Sequence, residues 1–450
     1  MRSILQALGF TLLLPLALSA KVDVETAKQL EENLTPLGAE RMGNTDGSIP
    51  EWTGGITEKP ESYVHGEHFV NPFEGEEILF TITSSNMEEY KEFLSPGQVA
   101  MFQRYPESFQ MPIYPTHRSA SYPEFVYEAL KQNAINAELV ADGNGLKNAR
   151  VTAPFPIPQN GLEVIWNHLV RYRGEQAQRE VAQAAPLANG SYQIVHIKED
   201  IYYPYNNPES TMETLKNRVG YFLQKVTAPA YLAGTILLVH ETLNQSEEPR
   251  SAWTYNPGQR RVRRAPNIAY DNPGTASDGQ RTTDQYDMFN GAPDRYDWTL
   301  IGKKEIFVPY NAYPIQSPKI KYKDLLRAGH MNPEHTRYEK HRVWVLEANV
   351  KKEFKHIFPK RVFYLDEDSW QILVADQYDS RGQIWRLSEA HCLNYYNVPT
   401  ILDTIQVHYD LLNGRYLVFG MKNEGRIENF DVELQVADFT PQRLRRAGRR

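Results

Sequence analysis

The sequence contains one cysteine, Cys392, among its 450 residues, so no intrachain disulfide can form. It has no G-x-S-x-G motif, and Cys392 lacks the local signature of a catalytic nucleophile. The histidines show no metal-ligand spacing, and we interpret the closest group, His330, His335, His341 and His356, as surface or loop residues. The sequence therefore predicts a protein without a catalytic motif, a metal site or a cofactor.

Acidic residues outnumber basic residues in this sequence. The chain has 49 Lys and Arg against 56 Asp and Glu, a net charge of −7. Residues 1–20 contain only Arg2 among their charged groups, so their removal changes the net charge to −8. An acidic chain is a poor candidate for nucleic-acid binding, and we expect no nucleic-acid partner. The arginine-rich runs at 260–264 and 443–450 are local features.

The first 20 residues have the pattern of a secretory signal peptide. Arg2 is followed by an apolar run up to Leu18, with small residues close to position 20. The alternative, a retained N-terminal membrane helix, would need a longer apolar segment. No cysteine follows the run, so a lipid anchor is not expected. The sequence predicts an exported chain with no transmembrane segment after cleavage.

Aromatic residues are abundant, at 12% of the chain, and they occur together with 29 prolines and 27 glycines. This composition favours strands separated by turns. From residue 153 onward, turn signals separate neighbouring strands by a few residues, which predicts an antiparallel meander of ten or eleven strands. A sheet of that size is expected to curl, so the predicted fold is α+β, mainly β, with a half-barrel.

The pattern along the chain predicts four segments. They are a signal peptide at 1–20, a helical and loop-rich region at 21–152, the β half-barrel at 153–440 and an Arg-rich tail at 441–450. Within the half-barrel, residues 165–174 are predicted to form a strand. Residues 208–226, which include Phe222, are predicted to form an amphipathic helix that caps the concave side.

Tryptophans recur on successive predicted strands of the half-barrel. They form either one thick core or the lining of a partly unfilled cavity that holds an apolar ligand, and the sequence leaves both readings open. The candidate cavity-lining residues are Trp253, Tyr255, Trp298, Trp344, Trp370, Trp385 and Phe222.

The segment S-A-W-T-Y-N-P-G-Q-R-R-V-R-R predicts a β-hairpin, because N-P-G is strong turn chemistry. Its arginines alternate across the second arm. They form either a solvated edge that deters strand aggregation or a polar mouth of the cavity. In the second reading one face pairs with Asp294 and Asp297, and the other meets an anionic headgroup or an acidic partner. The candidates for that mouth include Arg261 and Arg263.

Several long motifs resemble one family of Gram-negative envelope proteins. They are L-T-P-L-G-A-E-R-M-G-N-T-D-G-S-I-P-E-W-T-G-G, P-F-P-I-P-Q-N-G-L-E-V-I-W-N-H, W-T-Y-N-P-G-Q-R-R-V-R-R-A-P, G-A-P-D-R-Y-D-W and R-Y-E-K-H-R-V-W-V-L-E-A. On these motifs the chain is identified as a member of the domain of unknown function 1329 family, which is also labelled outer-membrane lipoprotein-sorting-like. The resemblance extends over essentially the whole chain after residue 20.

The W-x-Y-x-P and R-R-x-R-R hairpin is also similar to one in the LolA and LolB carriers. This resemblance implies an antiparallel half-barrel closed by helices around an apolar cavity for acyl chains. It further implies a place in the periplasm, in association with the outer membrane, beside outer-membrane and RND-type membrane proteins. The chain departs from those carriers in its long N-terminal region and in lacking the lipidated cysteine of LolB.

These observations lead us to expect a periplasmic binding or carrier protein. Its ligand would be a lipid, a lipoprotein acyl chain or another hydrophobic compound, held in the half-barrel. The alternative is a non-enzymatic scaffold or accessory protein of an outer-membrane or RND transport system, without a ligand cavity. An enzyme acting on an envelope component ranks third, because it would need a buried cluster of histidines and carboxylates.

Overall fold

The computed structural model describes residues 21–266 and 268–447. The signal peptide predicted at 1–20 and the last three residues of the predicted tail lie outside the described residues. No helix in the two described ranges has the length and apolarity that crossing a membrane requires.

The described residues form short helices and mostly longer strands. The helices are α1 (Val24–Ala27), α2 (Met87–Tyr90), α3 (Pro96–Arg104), α4 (Glu124–Asn136), α5 (Gly161–Val170), α6 (Met212–Leu215), α7 (Tyr322–Leu325) and α8 (Pro441–Ala447). The strands are β1 (Phe80–Ile82), β2 (Met111–Ile113), β3 (Glu138–Leu139), β4 (Leu146–Lys147), β5 (Gln176–Ala184), β6 (Ile194–Tyr202), β7 (Arg218–Ala228), β8 (Ile236–Thr242), β9 (Ser251–Asn256), β10 (Arg261–Arg264), β11 (Tyr296–Pro309), β12 (Tyr338–Val350), β13 (Lys360–Asp366), β14 (Ile372–Tyr378), β15 (Ile384–Asn394), β16 (Ile401–Asp410) and β17 (Tyr416–Met421).

One 15-stranded sheet contains all the strands except β3 and β4. Its order is β1-β2-β12-β13-β14-β15-β16-β17-β5-β6-β7-β8-β9-β10, with β11 paired to β12. Neighbours are antiparallel, apart from one parallel contact between β2 and β12. The sheet is curved and stays open, because no pairing joins β1 to β10 among the described residues. The predicted fold class is confirmed, with more strands after residue 153 than the ten or eleven expected.

Residues 165–174 were predicted as a strand, and this prediction is wrong, because Gly161–Val170 form helix α5. Asn160 caps the helix by accepting from the backbone N–H of Glu163 at 3.1 Å. The Glu163 carboxylate accepts in return from the backbone N–H of Gln159 at 2.6 Å. Nearly every residue of α5 is buried, so its apolar run has no polar face and resembles a buried strand in sequence.

The prediction of an amphipathic helix at 208–226 is also wrong. Only Met212–Leu215 are helical, and Arg218–Ala228 form strand β7. Lys216 and Asn217 both adopt positive φ, at 47° and 61°, which ends the helix after one turn. Beyond this point β6 and β8 supply hydrogen bonds on both sides, so tertiary pairing outweighs the helical spacing of the apolar residues.

Both faces of the sheet are covered. One face, which we call the α5 face, carries α5 and residues 268–290. The opposite face carries α3 over β14 and β15, and α8 over β8, β9 and β10. Alternate residues of β15 show the division: Leu387 packs beneath α3, whereas Arg386 donates to the carbonyl oxygen of Gln280 at 2.9 Å. Helix α8 takes up the first part of the predicted Arg-rich tail and buries Leu444 completely.

Helix α3 is fixed to the sheet through one carboxylate. Asp376 of β14 accepts from the hydroxyl of Ser95 at 2.9 Å and from the backbone N–H of Gly97 at 3.1 Å. A Cβ atom at position 97 would lie 2.3 Å from this carboxylate oxygen, so only glycine fits. Burial raises the pKa of Asp376 to about 7 and that of the neighbouring Glu389 to about 7.

We predict that Asp376→Asn reduces the loss of stability that accompanies a rise of the pH from about 4 to about 7. A carboxyl group whose folded pKa is raised contributes stability below its unfolded pKa of about 4, and this contribution is lost as the pH rises through 7. The amide stays neutral and keeps an oxygen for Ser95 and Gly97. The free energy of unfolding of the variant minus that of the wild type should increase by about 2 kcal/mol between pH 5 and pH 8. Urea denaturation at the two pH values measures this difference.

The matched control is Asp297→Asn, at an exposed position of β11. Its stability should equal that of the wild type at both pH 5 and pH 8. A wild-type pH dependence in Asp376→Asn would contradict the role assigned to this carboxyl group.

Candidate functional site

Three small cavities adjoin one another on the α5 face. Tyr203 borders all three, and Tyr286 separates the first from the second. Their volumes are about 60, 50 and 20 Å³. Ligand pockets for drug-sized molecules begin near 300 Å³, so none of the three holds a long acyl chain in this conformation.

The first cavity is walled by buried ion pairs. Arg171 and Arg173, which follow helix α5, donate to the two oxygens of Asp287 at 2.6 and 2.8 Å. Burial alone would raise the pKa of Asp287, but Arg171, His168 and Arg173 outweigh it and hold this pKa well below its usual range. Burial also lowers the pKa of His168 to about 3, so its ring is neutral at pH 7.

A second set of pairs continues this network along the sheet. Arg179 of β5 lies 2.5 Å from Glu199 of β6, and Lys422 pairs with Glu428. Tyr286 accepts from Arg179 at 2.7 Å. The α5 face thus presents paired charges and water-sized spaces where the resemblance to lipid carriers implied an apolar cavity.

A larger apolar cavity lies elsewhere, beside strands β1, β2 and β11. Its volume is about 430 Å³, and we call it the Phe80 groove. It is lined by Asp46, Gly47, Ser48, Pro50, Leu79, Phe80, Tyr90, Phe93, Ile113, Tyr114, Pro115, Thr116, Phe307 and Lys340.

Four aromatic rings form the wall of the Phe80 groove. Phe80 stacks on Tyr90 with 4.8 Å between ring centroids. Phe307 of β11 meets Phe80 and Phe93 edge-on, each at 5.9 Å. Leu79 is 61% exposed at the rim, so the groove is open to an apolar partner. Offset and edge-to-face ring pairs of this kind make a rigid apolar surface.

One end of the Phe80 groove is charged. The Lys340 ammonium lies 4.1 Å from the centroid of the Phe93 ring, 3.0 Å from the Asp46 carboxylate and 3.2 Å from that of Glu305. The hydroxyl of Ser48 also donates to Asp46 at 2.6 Å. An apolar wall with an ionic end suits an amphiphile, whose tail and headgroup have opposite requirements.

A third open space, of about 670 Å³, borders helix α4. Its wall includes Glu128, Lys131, Arg150 and Glu209, so it is polar and does not suit an apolar ligand.

His341, Asp366 and Asp368 offer three donor atoms within 4.8 Å of one another, a spacing that could hold a metal ion. The protein itself already engages both carboxylates. Arg118 donates to the two oxygens of Asp368 at 2.8 and 2.7 Å, and Tyr310 donates to Asp366 at 2.9 Å. Burial and the charge of Asp368 raise the pKa of Asp366 to about 6. Because protein donors already occupy both carboxylates, the donor set does not fit a metal ion well.

His330 and His356 lie in loops, as interpreted, but they are not surface residues, and His341 lies in strand β12. His330, His341 and His356 are buried, and only His335 is partly exposed. His356 lies 3.0 Å from Asp284 on the α5 face. Neither His341 nor His356 borders one of the cavities described above.

The predicted cavity-lining aromatic residues lie in several places. Trp370 is completely buried and stacks on Trp344 at 5.9 Å between centroids. Trp298 packs against the main core beside Phe289, at 5.3 Å. Phe222 lines the second cavity on the α5 face.

The remaining three aromatic candidates are separate from this group. Trp253 and Tyr255 belong to the cluster beneath α8, on the opposite face of the sheet. Trp385 meets the ring of Phe358 at 5.3 Å. Apart from Phe222, the seven candidates border none of the cavities described above, and their role as a ligand lining stays a prediction.

The polar mouth residues are not brought together. Arg261 and Arg263 are exposed on β10, which is an edge of the sheet. Asp294 accepts from the hydroxyl of Tyr270 at 3.0 Å, and Asp297 is exposed on β11. Among the described residues, no ion pair joins these arginines to either aspartate.

Sequence reasoning missed the residues of the Phe80 groove. Phe80, Tyr90 and Phe93 fall in the segment 21–152, which was predicted only as helical and loop-rich. Their partner Phe307 is more than 200 positions away, and no local spacing connects the two segments. The signal that was present is the density of aromatic residues between positions 80 and 93.

A family model described as "Protein of unknown function (DUF1329)" matches residues 81–445. The chain belongs to this family. The family membership predicted from the sequence motifs is therefore confirmed. The uncharacterized protein PA3922 of Pseudomonas aeruginosa is 52% identical to this DUF1329 chain over 437 residues, which cover 97% of this chain and 96% of PA3922.

Two solved structures are similar to parts of the DUF1329 chain. One is a domain from Vibrio parahaemolyticus described as an outer membrane lipoprotein-sorting protein, with a TM-score of 0.43 and 14% identity over 63% of this chain and 98% of the domain. The other is the LolA superfamily protein NE2245 from Nitrosomonas europaea, with a TM-score of 0.38 and 13% identity over 63% of this chain and 99% of NE2245. At these scores, the fold assignment rests on the strand order itself.

We predict that Asp287→Asn destabilises the protein by about 3–5 kcal/mol. The substitution keeps the shape of the side chain but leaves the buried charges of Arg171 and Arg173 without their shared carboxylate. Chemical denaturation at pH 7 measures the loss. Asp431→Asn, which removes an exposed partner of His65, should change the stability by less than about 0.5 kcal/mol. Equal effects of the two substitutions would contradict the prediction.

Proposed function

We propose that this DUF1329 chain is a binding or carrier protein for a hydrophobic or amphiphilic compound of the cell envelope, such as a lipid or an acyl chain. The ligand lies in the Phe80 groove. The observation that carries the proposal is the volume of this groove, about 430 Å³, combined with its wall of four aromatic rings.

The groove supplies the driving force for such a ligand. Each methylene group that leaves water for an apolar wall contributes about 0.8 kcal/mol. Phe80, Tyr90, Phe93 and Phe307 are held against one another by their own ring contacts, so their surface is formed before the ligand arrives. Preorganisation of this kind reduces the entropy lost on binding.

The headgroup of the ligand meets the ionic end of the groove. Lys340 is already paired with the two carboxylates of Asp46 and Glu305, so this end of the groove carries one negative charge in excess. A neutral polar or cationic headgroup suits this end better than an anionic one. This preference narrows the class of ligand to neutral or positively charged amphiphiles.

The proposal places the chain in the periplasm of a Gram-negative bacterium, in association with the outer membrane. The signal-peptide pattern of residues 1–20 supports export. The 52% identical relative comes from Pseudomonas aeruginosa, which is Gram-negative. Outer-membrane and RND-type membrane proteins are the proposed macromolecular partners, on the basis of the family resemblance alone.

A second candidate is a scaffold or accessory protein of such a transport system, without a ligand. The cavities of about 60, 50 and 20 Å³ on the α5 face favour it, because that face is filled by paired charges. We propose no catalytic step, since the buried histidine–carboxylate groups border none of the cavities described above.

We predict that Leu79→Asp weakens ligand binding by about tenfold or more. The substitution places a carboxylate at the apolar rim of the groove, where an alkyl tail would have to desolvate it. Leu79 is 61% exposed, so the folded state should tolerate the change. The measurement is a titration with N-phenyl-1-naphthylamine, whose fluorescence rises in an apolar site, followed by displacement with lipids.

The matched control is Ile301→Asp. Ile301 is 60% exposed on β11 and borders none of the cavities described above, so the same chemical change is made away from the groove. It should bind like the wild type. Equal binding by both variants would overturn the groove assignment, and absence of binding by the wild type would in addition favour the scaffold function.

A further inference from the structure

We propose that the second cavity on the α5 face is a separate site for a small organic monocarboxylate, whose carboxylate pairs with the guanidinium of Arg281. This cavity is distinct from the Phe80 groove, and the inference does not rest on the proposed function.

Arg281 is a buried charge without a partner. The residue is 3% exposed, and its Nε and Nη1 atoms are buried with no hydrogen bond. No ion pair reaches its guanidinium in the part of the chain that the structure describes. Its contacts are the faces of two rings, Phe419 at 4.7 Å and Tyr286 at 5.5 Å. An unpaired buried guanidinium is costly, so such a group indicates a missing anion.

Two neighbouring carboxylates are already paired with other cations. Glu199 accepts from Arg179 at 2.5 Å and from Gln224 at 2.6 Å. Glu241, in the wall of the second cavity, accepts from Arg250 at 2.5 Å. Neither lies within ion-pair distance of Arg281.

The charges around the three adjoining cavities do not balance. Arginines exceed carboxylates in the walls by one, so a monoanion would balance the walls. The charged wall residues are Arg171, Arg173, Arg179, Arg250 and Arg281 against Glu241, Asp287, Asp403 and Glu428.

The backbone holds Arg281 in place independently of its side chain. Its carbonyl oxygen accepts from the backbone N–H of Gly274 at 2.8 Å and from the hydroxyl of Ser277 at 3.1 Å. A Cβ atom at position 274 would lie 3.1 Å from the Nε atom of Arg281, so the glycine leaves space for the guanidinium. Because these contacts involve the main chain, replacing the side chain should preserve the loop.

The cavity favours a carboxylate that carries a short apolar group. Its volume of about 50 Å³ admits a carboxylate with a single methyl group, such as acetate, and Phe222, Leu237 and Val239 form an apolar part of its wall. A guanidinium pairs with a carboxylate through two parallel N–H···O bonds. Glu241 in the same wall disfavours a second negative charge, which argues against a phosphate dianion.

The test compares wild type, Arg281→Met and Arg415→Met in a low-salt buffer free of carboxylates. Arg415 pairs with Asp278 away from the cavity and serves as the control for loss of one arginine. Acetate, its neutral analogue acetamide and inorganic phosphate are added, and binding is followed by thermal unfolding and calorimetry. We expect acetate to raise the Tm of the wild type and of Arg415→Met, with no effect of acetamide.

Arg281→Met should lose this shift and bind acetate about 10- to 100-fold more weakly. Without any anion it should be at least as stable as the wild type, because an unpaired charge has been removed. A wild type that responds equally to acetate and acetamide overturns the proposal, and so does one that responds to phosphate as strongly as to acetate.

A second variant covers the case in which Arg281→Met does not fold. Leu237→Phe reduces the volume of the cavity and leaves Arg281 unchanged. It should also lose the acetate response. Retention of the full response in Leu237→Phe would place the anion elsewhere and overturn the proposal.

Discussion

Compensation of buried charge is the constraint on which this fold depends. Arg361, completely buried, pairs with Asp284, and Arg118 lies 2.7 Å from Asp368, which is also buried. Removing one member of such a pair leaves an uncompensated charge at a cost of several kcal/mol, although the intact pair contributes little net stability. The pairs therefore act mainly by selecting one arrangement of the chain, because each requires two particular segments to meet.

The same constraint explains how helix α5 and residues 268–290 are positioned on the sheet. Arg171 follows the helix and reaches Asp287, and the neutral ring of His168 meets the carbonyl oxygen of Asp287 at 2.9 Å. The helix thus fixes a long segment that has little regular structure of its own. Where a partner carboxylate is absent, as at Arg281, the same reasoning points to an anionic ligand. The Phe80 groove is not part of this network of charges, because its wall is apolar.

The regular part of the half-barrel could be predicted from the sequence, because its information is local. The Asn256–Gly258 turn and the alternation of side chains on either side of it predict the β9–β10 hairpin. Short turns between neighbouring strands predict the order β13 to β17. Helix α5 was missed because burial on all sides removes its polar face. The Phe80 groove and the Arg171–Asp287 pair join segments far apart in sequence, and a single sequence records no such contact.

The connection between β17 and β5 has a consequence for how the chain folds. Val418 pairs with Ala184, so a strand near the end of the chain completes a pair with one made much earlier. Until β17 has been synthesised, β5 and β16 both present unpaired backbone groups, which are a template for wrong partners. Long-range pairing of this type also slows folding, since a large loop must close first. The nascent chain therefore needs protection from aggregation over most of its synthesis.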